Sequence, residues 1–172
     1  MRLEELLNMS PRQLGDLSRQ LFPVRARQLI GWRYRGVSLG LPHWLERWTW
    51  KTFAKDFIEA ESEWRGWNVR LEQTGLDGPT RAQMRGDTER TFGHFALRQT
   101  PKGALIDYGL AHDPLRAFTP NDPTRLLGWT AVGPWRTPSY FLLERAYRIA
   151  GQVELHAKDR HPNSMDAETN GR

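Results

Sequence analysis

The sequence predicts a mainly β protein with helices at its N-terminus, its strands forming an antiparallel meander that closes into a barrel or curls strongly. Three observations carry this. From Trp64 onward, apolar residues recur with a period of two in short segments, separated by turn formers and with no helical stretch between them. The first third instead carries a helix start signal and apolar residues at three- and four-residue spacing. Finally, a chain of 172 residues with eight Trp, seven Phe and no Cys suits one domain held by an apolar core alone. A domain of this size buries roughly 70% of the surface its unfolded chain exposes.

Ser10-Pro11-Arg12-Gln13 is a capping box with Pro at the first helical position, and Leu14, Leu17 and Leu21 follow on one stripe until Pro23 ends the helix. A first strand is predicted around residues 32–37, and Pro42 opens a second helix predicted to run to about residue 59. Period two then takes over: Trp67, Val69 and Leu71 face one way, and "TFGHFALRQ", "ALIDYG", "RLLGWTAV" and "SYFLLER" follow as further strands. Turns are predicted at Gly86-Asp87, Pro101-Lys102-Gly103, Asn121-Asp122-Pro123 and Gly133-Pro134. Residues 111–124, with three prolines, read as the longest irregular piece. The division is a helical segment over 1–27, a barrel domain over 28–150 and a polar tail over 151–172, expected to be disordered.

Several function classes are excluded or set back. With no Cys, disulfides, zinc–thiolate sites and cysteine nucleophiles are absent. The five His are scattered without metal-ligand spacing, and no phosphate-cradling glycine loop occurs, so no metal or cofactor is expected. The acidic start "MRLEELL" lacks a secretory pattern and no apolar run is long enough for a membrane span, which points to a cytoplasmic protein. The net charge of +5 is concentrated: residues 25–55 hold Arg25, Arg27, Arg33, Arg35, Arg47, Lys51 and Lys55 against Glu46 alone.

Within that window lies "HWLERWTWKTF". Placed on a helix, Trp44 and Trp48 share a face with Leu41 and Leu45, and Trp50, Phe53 and Phe57 form a neighbouring stripe. Arg47, Lys51 and Lys55 then fall on the opposite side, in water. The helix would cap a barrel mouth, with the tryptophans buried. The competing reading is a stacking platform for single-stranded nucleic acid.

"LIGWRYRG", "WTWKTFAKDF", "LIDYG" and "DPTRLLGWTAVGPWRTPSYFLLERA" together resemble a group of small, largely uncharacterised bacterial proteins with a lipocalin-like β-barrel, related to the domain class with a G-x-W-x-G signature. The resemblance covers residues 28–146. It departs at Trp32, which stands where the first glycine belongs, and at Lys51-Thr52, where the W-x-G-K pattern breaks. It implies a barrel plugged by aromatics around a cavity, with Arg125 or Arg145 closing one end by stacking on an aromatic near Tyr34, and it implies no reaction.

Such a cavity would be lined by strand aromatics, for which Tyr34, Trp67, Phe95, Trp129 and Tyr140 are the candidates. Its catalytic candidates are His94, Asp107 and Tyr108. His94 is either a cavity base or a rim histidine. Asp107 and Tyr108 alternate, so one points in and one out; an inward Asp would be a general acid or base, an outward one a turn-amide acceptor. Three functions follow: a carrier or sensor of an apolar or aromatic small molecule; a cyclase or isomerase of a natural-product or isoprenoid intermediate in the same cavity; and single-stranded nucleic-acid binding by residues 25–55.

Overall fold

A computed structural model describes residues 1–40, 51–76 and 78–149. Helix α1 (Leu3–Leu7) leads into α2 (Pro11–Gln20), whose start is the predicted capping box: Gln13 N donates to Ser10 Oγ at 3.3 Å and Ser10 N to Gln13 Oε1 at 2.8 Å. The short strand β1 (Phe22–Pro23) and one 3-10 turn (Ala26–Leu29) precede the strands β2 (Trp32–Leu39), β3 (Thr52–Ala60) and β4 (Glu63–Arg70). A two-residue hairpin, β5 (Met84–Arg85) and β6 (Thr88–Glu89), turns at Gly86-Asp87 as expected. Then come β7 (Thr91–Thr100), β8 (Gly103–Asp107), β9 (Ala111–Thr119), β10 (Asp122–Val132) and β11 (Trp135–Arg148).

Eight of these, β2, β3, β4 and β7 to β11, pair antiparallel with their neighbours in chain order, and β11 returns to pair with β2 from Tyr140↔Leu39 to Arg148↔Trp32. The sheet is therefore a closed up-and-down barrel of lipocalin-like layout, with no open edge among its eight strands. β1 adds a short pairing along β9.

One end is packed solid. Tyr34, Phe57, Leu97, Ile106, Leu115 and Leu143 fill the interior there, and Leu29 from the 3-10 turn packs into the same cluster. Arg145 lays its guanidinium 4.4 Å from the Trp32 ring centroid and 3.5 Å from the Tyr34 hydroxyl, which itself donates to Pro123 O. The closing arginine is thus Arg145; Arg125 instead pairs with Glu144 and lies over Phe118. Outside the barrel, α2 seats Leu14 on Leu39, Leu127, Trp129 and Leu142, while Ala54, Ile58, Trp67, Val69 and Leu71 form a second outer patch with Ala82 against it.

Two sequence expectations are corrected here. Residues 52–60 are strand β3, not the second half of a helix. Phe53, Lys55 and Phe57 point inward, while Ala54, Asp56 and Ile58 lie under the outer patch; with both faces covered, no polar alternation marks the strand. Residues 111–119 are strand β9, not a loop. Asp113, Leu115 and Ala117 face in, and Pro114 takes an outward position, where the β9–β10 ladder passes from Gly128↔Leu115 to Ala131↔His112 on either side of it. The expected burial of Trp44 and Trp48, the exposure of Arg47 and the disordered tail fall outside the described residues; Lys51 is half-buried.

Candidate functional site

At the other end the barrel is hollow. A cavity of about 450 Å³ is bordered by the last residues of β2, β4 and β10, the first of β3, β7, β9 and β11, and the β8–β9 turn. Phe53 and Phe141, which line it, belong to a set of three cross-strand pairs in which a glycine faces a phenylalanine: Gly36↔Phe53, Gly66↔Phe95 and Gly128↔Phe141. Each ring lies flat over its glycine, where a Cβ would sit 2.3 Å from Phe53, 2.6 Å from Phe95 and 2.3 Å from Phe141. Glycine is needed to let the rings turn across the sheet. At Gly66 a Cβ would also sit 2.0 Å from the Asp56 carbonyl oxygen, a backbone atom that cannot swing away. Gly66→Ala is accordingly expected to lower the free energy of unfolding more than Gly128→Ala, by several kcal/mol, as read by urea denaturation of the two variants side by side.

Lys55 rises among these rings. Its Nζ lies 5.1 Å from the Phe141 centroid, 5.3 Å from Phe53, 5.4 Å from Phe95 and 5.3 Å from Tyr108. It donates to Asn68 Oδ1 at 2.7 Å and to the Tyr108 hydroxyl at 2.6 Å, and Asp113 Oδ2 stands 3.6 Å away. Asn68 is oriented by its own amide, which donates to Gly93 O at 3.0 Å, so its oxygen is the atom turned to Lys55. One inward position deeper, Phe57 is fully buried, so Lys55 marks the boundary between packed core and cavity. Asp113 is 3% exposed and its Oδ1 has no hydrogen-bond partner.

Burial shifts all three ionisable groups toward their neutral forms. Desolvation pushes Lys55 down to about 8, against the opposing pull of Asp113. The same cause raises Asp113 above the usual carboxylate range, with Lys55, Thr130 and Tyr108 opposing it, and raises the Tyr108 phenol. An amine that is partly neutral near physiological pH, a neutral phenol and a carboxylate of raised basicity therefore meet at one end of an apolar cavity.

Of the expected catalytic residues, Tyr108 is at this site. His94 is exposed on the outer face, its ring 6.1 Å from that of Trp67. Asp107 also points outward, accepting from the Gly109 amide at 2.8 Å and from Arg98 at 2.5 Å; the Gly109 bond, with Arg98, holds its carboxyl below the usual range. Of the expected lining residues, Phe95 supports Lys55 and Tyr140 borders the cavity, although its hydroxyl reaches Gly15 of α2. Tyr34 lies in the packed end, Trp67 in the outer patch, and Trp129 outside beneath Arg136, 4.1 Å from its ring. The sequence pattern does not single out Lys55, Asn68 or Asp113: it puts Lys55 on a solvated helix stripe and Asp113 in a loop. The signal that would have found them is period two in Phe53-Lys55-Phe57 and Asp113-Leu115-Ala117.

The basic window divides in the same way. Arg33 and Lys55, two of its seven cations, are buried and paired with carboxylates, so they form no continuous surface track. No helix among the described residues is long and apolar enough to cross a membrane. No family model, curated protein or solved structure matches this chain.

Proposed function

We propose that the barrel binds a small aromatic or apolar molecule carrying one neutral polar group, a carbonyl or hydroxyl, which is placed against Lys55 and Tyr108. The observation that supports this reading is a cavity of about 450 Å³ floored by phenylalanines with a single compensated ion pair at its base. Asp113 already balances Lys55, so a ligand carboxylate would bring a second anion beside Asp113 into a poorly solvated space. A neutral oxygen avoids that cost and accepts from the ammonium or the phenol. A carrier or sensor needs nothing more. The pairing of a partly neutral amine with a phenol favours the second reading, a cyclase or isomerase, in which the same groups polarise the bound carbonyl.

The neutral dye N-phenyl-1-naphthylamine tests the reading. Saturable fluorescence enhancement is expected, with competition by neutral aromatic alcohols and little by the matching carboxylates. Ala111, at the start of β9, borders the cavity and is half-buried; Ala111→Trp is expected to weaken dye binding at least about tenfold, or ~1.4 kcal/mol. Dye binding that is absent, or unchanged by Ala111→Trp, would remove the cavity as a ligand site.

A further inference from the structure

We propose that Lys55 is an imine-forming lysine: its Nζ adds to the carbonyl carbon of an aldehyde or ketone held in the barrel. The proposal rests on the ligand-binding reading above and names the chemical class of ligand that the site takes covalently.

Geometry supports it in three ways. Nζ is fixed by the two short hydrogen bonds it donates, to Asn68 Oδ1 at 2.7 Å and to the Tyr108 hydroxyl at 2.6 Å, and it borders the cavity. The Phe53, Phe95 and Phe141 rings, 5.1 to 5.4 Å from Nζ, present their π faces to whatever charge it carries, and they stabilise an iminium as they stabilise an ammonium. Asp113 holds Oδ2 3.6 Å from Nζ and keeps Oδ1 unpartnered, so a route for a proton leads from Nζ to a buried carboxylate. An ion pair serving structure alone would be expected to close to direct contact and satisfy both carboxylate oxygens; here the closest approach is 3.6 Å. The lowered basicity of Lys55 supports the same chemistry, since only the neutral amine is a nucleophile.

The step balances without any further reagent. Asp113 takes one proton from the Lys55 ammonium. The freed lone pair forms the C–N bond while the carbonyl π pair moves to oxygen, and a proton passes from nitrogen to that oxygen, with Tyr108 alongside, to give the carbinolamine. Asp113 then returns its proton to the hydroxyl, the C–O bond breaks, and water leaves as the C=N⁺ bond forms. Lysine ammonium plus carbonyl becomes iminium plus water, with Asp113 again ionised and nothing oxidised or reduced. The iminium acidifies neighbouring C–H bonds, which is the activation that an isomerase or cyclase requires.

The test uses the full-length wild-type protein, benzaldehyde, cinnamaldehyde and decanal in turn, and sodium cyanoborohydride as trap. Intact mass and peptide mapping are expected to show one reduced adduct per chain. Lys55 should be labelled faster than Lys51, Lys102, Lys158 and the N-terminal amine by at least about tenfold at pH 7, because a carbonyl compound held in the cavity is presented to Nζ. Lys55→Arg, which keeps the cation but not the nucleophile, should abolish the adduct, and Tyr108→Phe should slow it, with circular dichroism checking the fold of each. Binding of the matching alcohols to the wild type, followed by dye displacement, is read in parallel. Alcohol binding with adducts spread over all amines, or with no adduct, overturns imine formation and leaves the cavity reading standing. Failure of both overturns the cavity reading and this proposal with it.

Discussion

Replacing Arg33 by Ala is expected to lower the stability of the protein by about 3–5 kcal/mol, the loss typical of breaking a buried ion pair from one side. Arg33 on β2 faces Asp56 on β3 in register and donates to both its carboxylate oxygens, at 2.6 and 2.7 Å. The same guanidinium donates to Glu89 on β6 and to the Tyr147 hydroxyl on β11, each at 2.8 Å through Nη1. One side chain, 2% exposed, thereby ties three barrel strands to the β5–β6 hairpin. Without it, Asp56, which is 1% exposed, is left buried beside Glu89 with no cation. Burial already raises Asp56 above the usual carboxylate range while Arg33 opposes the rise, so the variant should raise it further. A carboxyl whose folded pKa exceeds its unfolded value favours folding when protonated. The deficit of the variant should therefore shrink as pH falls below that folded pKa and grow as pH rises through it. Urea denaturation of both proteins at pH 5 and pH 8 measures this. Arg33→Lys is expected to recover only part of the loss, because an ammonium cannot span two carboxylates in a planar fork. A loss under about 1 kcal/mol at pH 8 would refute the clamp.

The second large effect concerns Lys55. Lys55→Met is expected to cost about 3–5 kcal/mol at pH 7, because Asp113 stays buried without its cation. The double variant Lys55→Met/Asp113→Leu should return to within about 1 kcal/mol of wild type or exceed it, since apolar groups of similar volume replace buried pairs without loss. That outcome would mean the pair is kept for what it does in the cavity and not for folding. Wild-type stability should carry the mark of the same group. Lys55 has a folded pKa of about 8 and an unfolded one of about 10.4, so between them only the unfolded chain binds the proton, and this group's contribution to stability rises with pH across that window. The gain is of order 3 kcal/mol at most, and it should vanish in the double variant. A wild-type profile indistinguishable from that of the double variant between pH 8 and 10 would contradict a buried, desolvated Lys55.

The strands that could be read from the sequence are those marked by period two or bounded by turn formers. Trp67, Val69 and Leu71 were placed together on one face, and they do share one, although it is the outer face. The turns at Gly86-Asp87 and Gly133-Pro134 and the Ser10 cap were legible because their chemistry is local. β3 and β9 were not. In β3 both faces are covered, so Phe53, Phe57 and the neighbouring tryptophans fit a helical stripe as well as a strand. In β9, Pro114, with Pro120 and Pro123 just beyond the strand, argues for a loop, and only its neighbours β8 and β10 show that Pro114 sits where the ladder can spare it.

Binary pattern and turn chemistry sufficed for an antiparallel barrel preceded by helices, because hairpin spacing and period two leave few other ways to bury these strands. The aromatic-rich interior and a closing arginine were also expected before any fold was known. The tertiary structure alone decided that Lys55 is inside. A lysine is overwhelmingly a surface residue, and Phe53 and Phe57 on either side of it fit a helical stripe as well as a strand face. It becomes tolerable in the core only when barrel closure brings Asp113 from β9, Asn68 from β4, Tyr108 from the β8 end and three glycine-seated rings around one nitrogen. Those partners are distant in sequence, and their convergence is a property of the closed sheet.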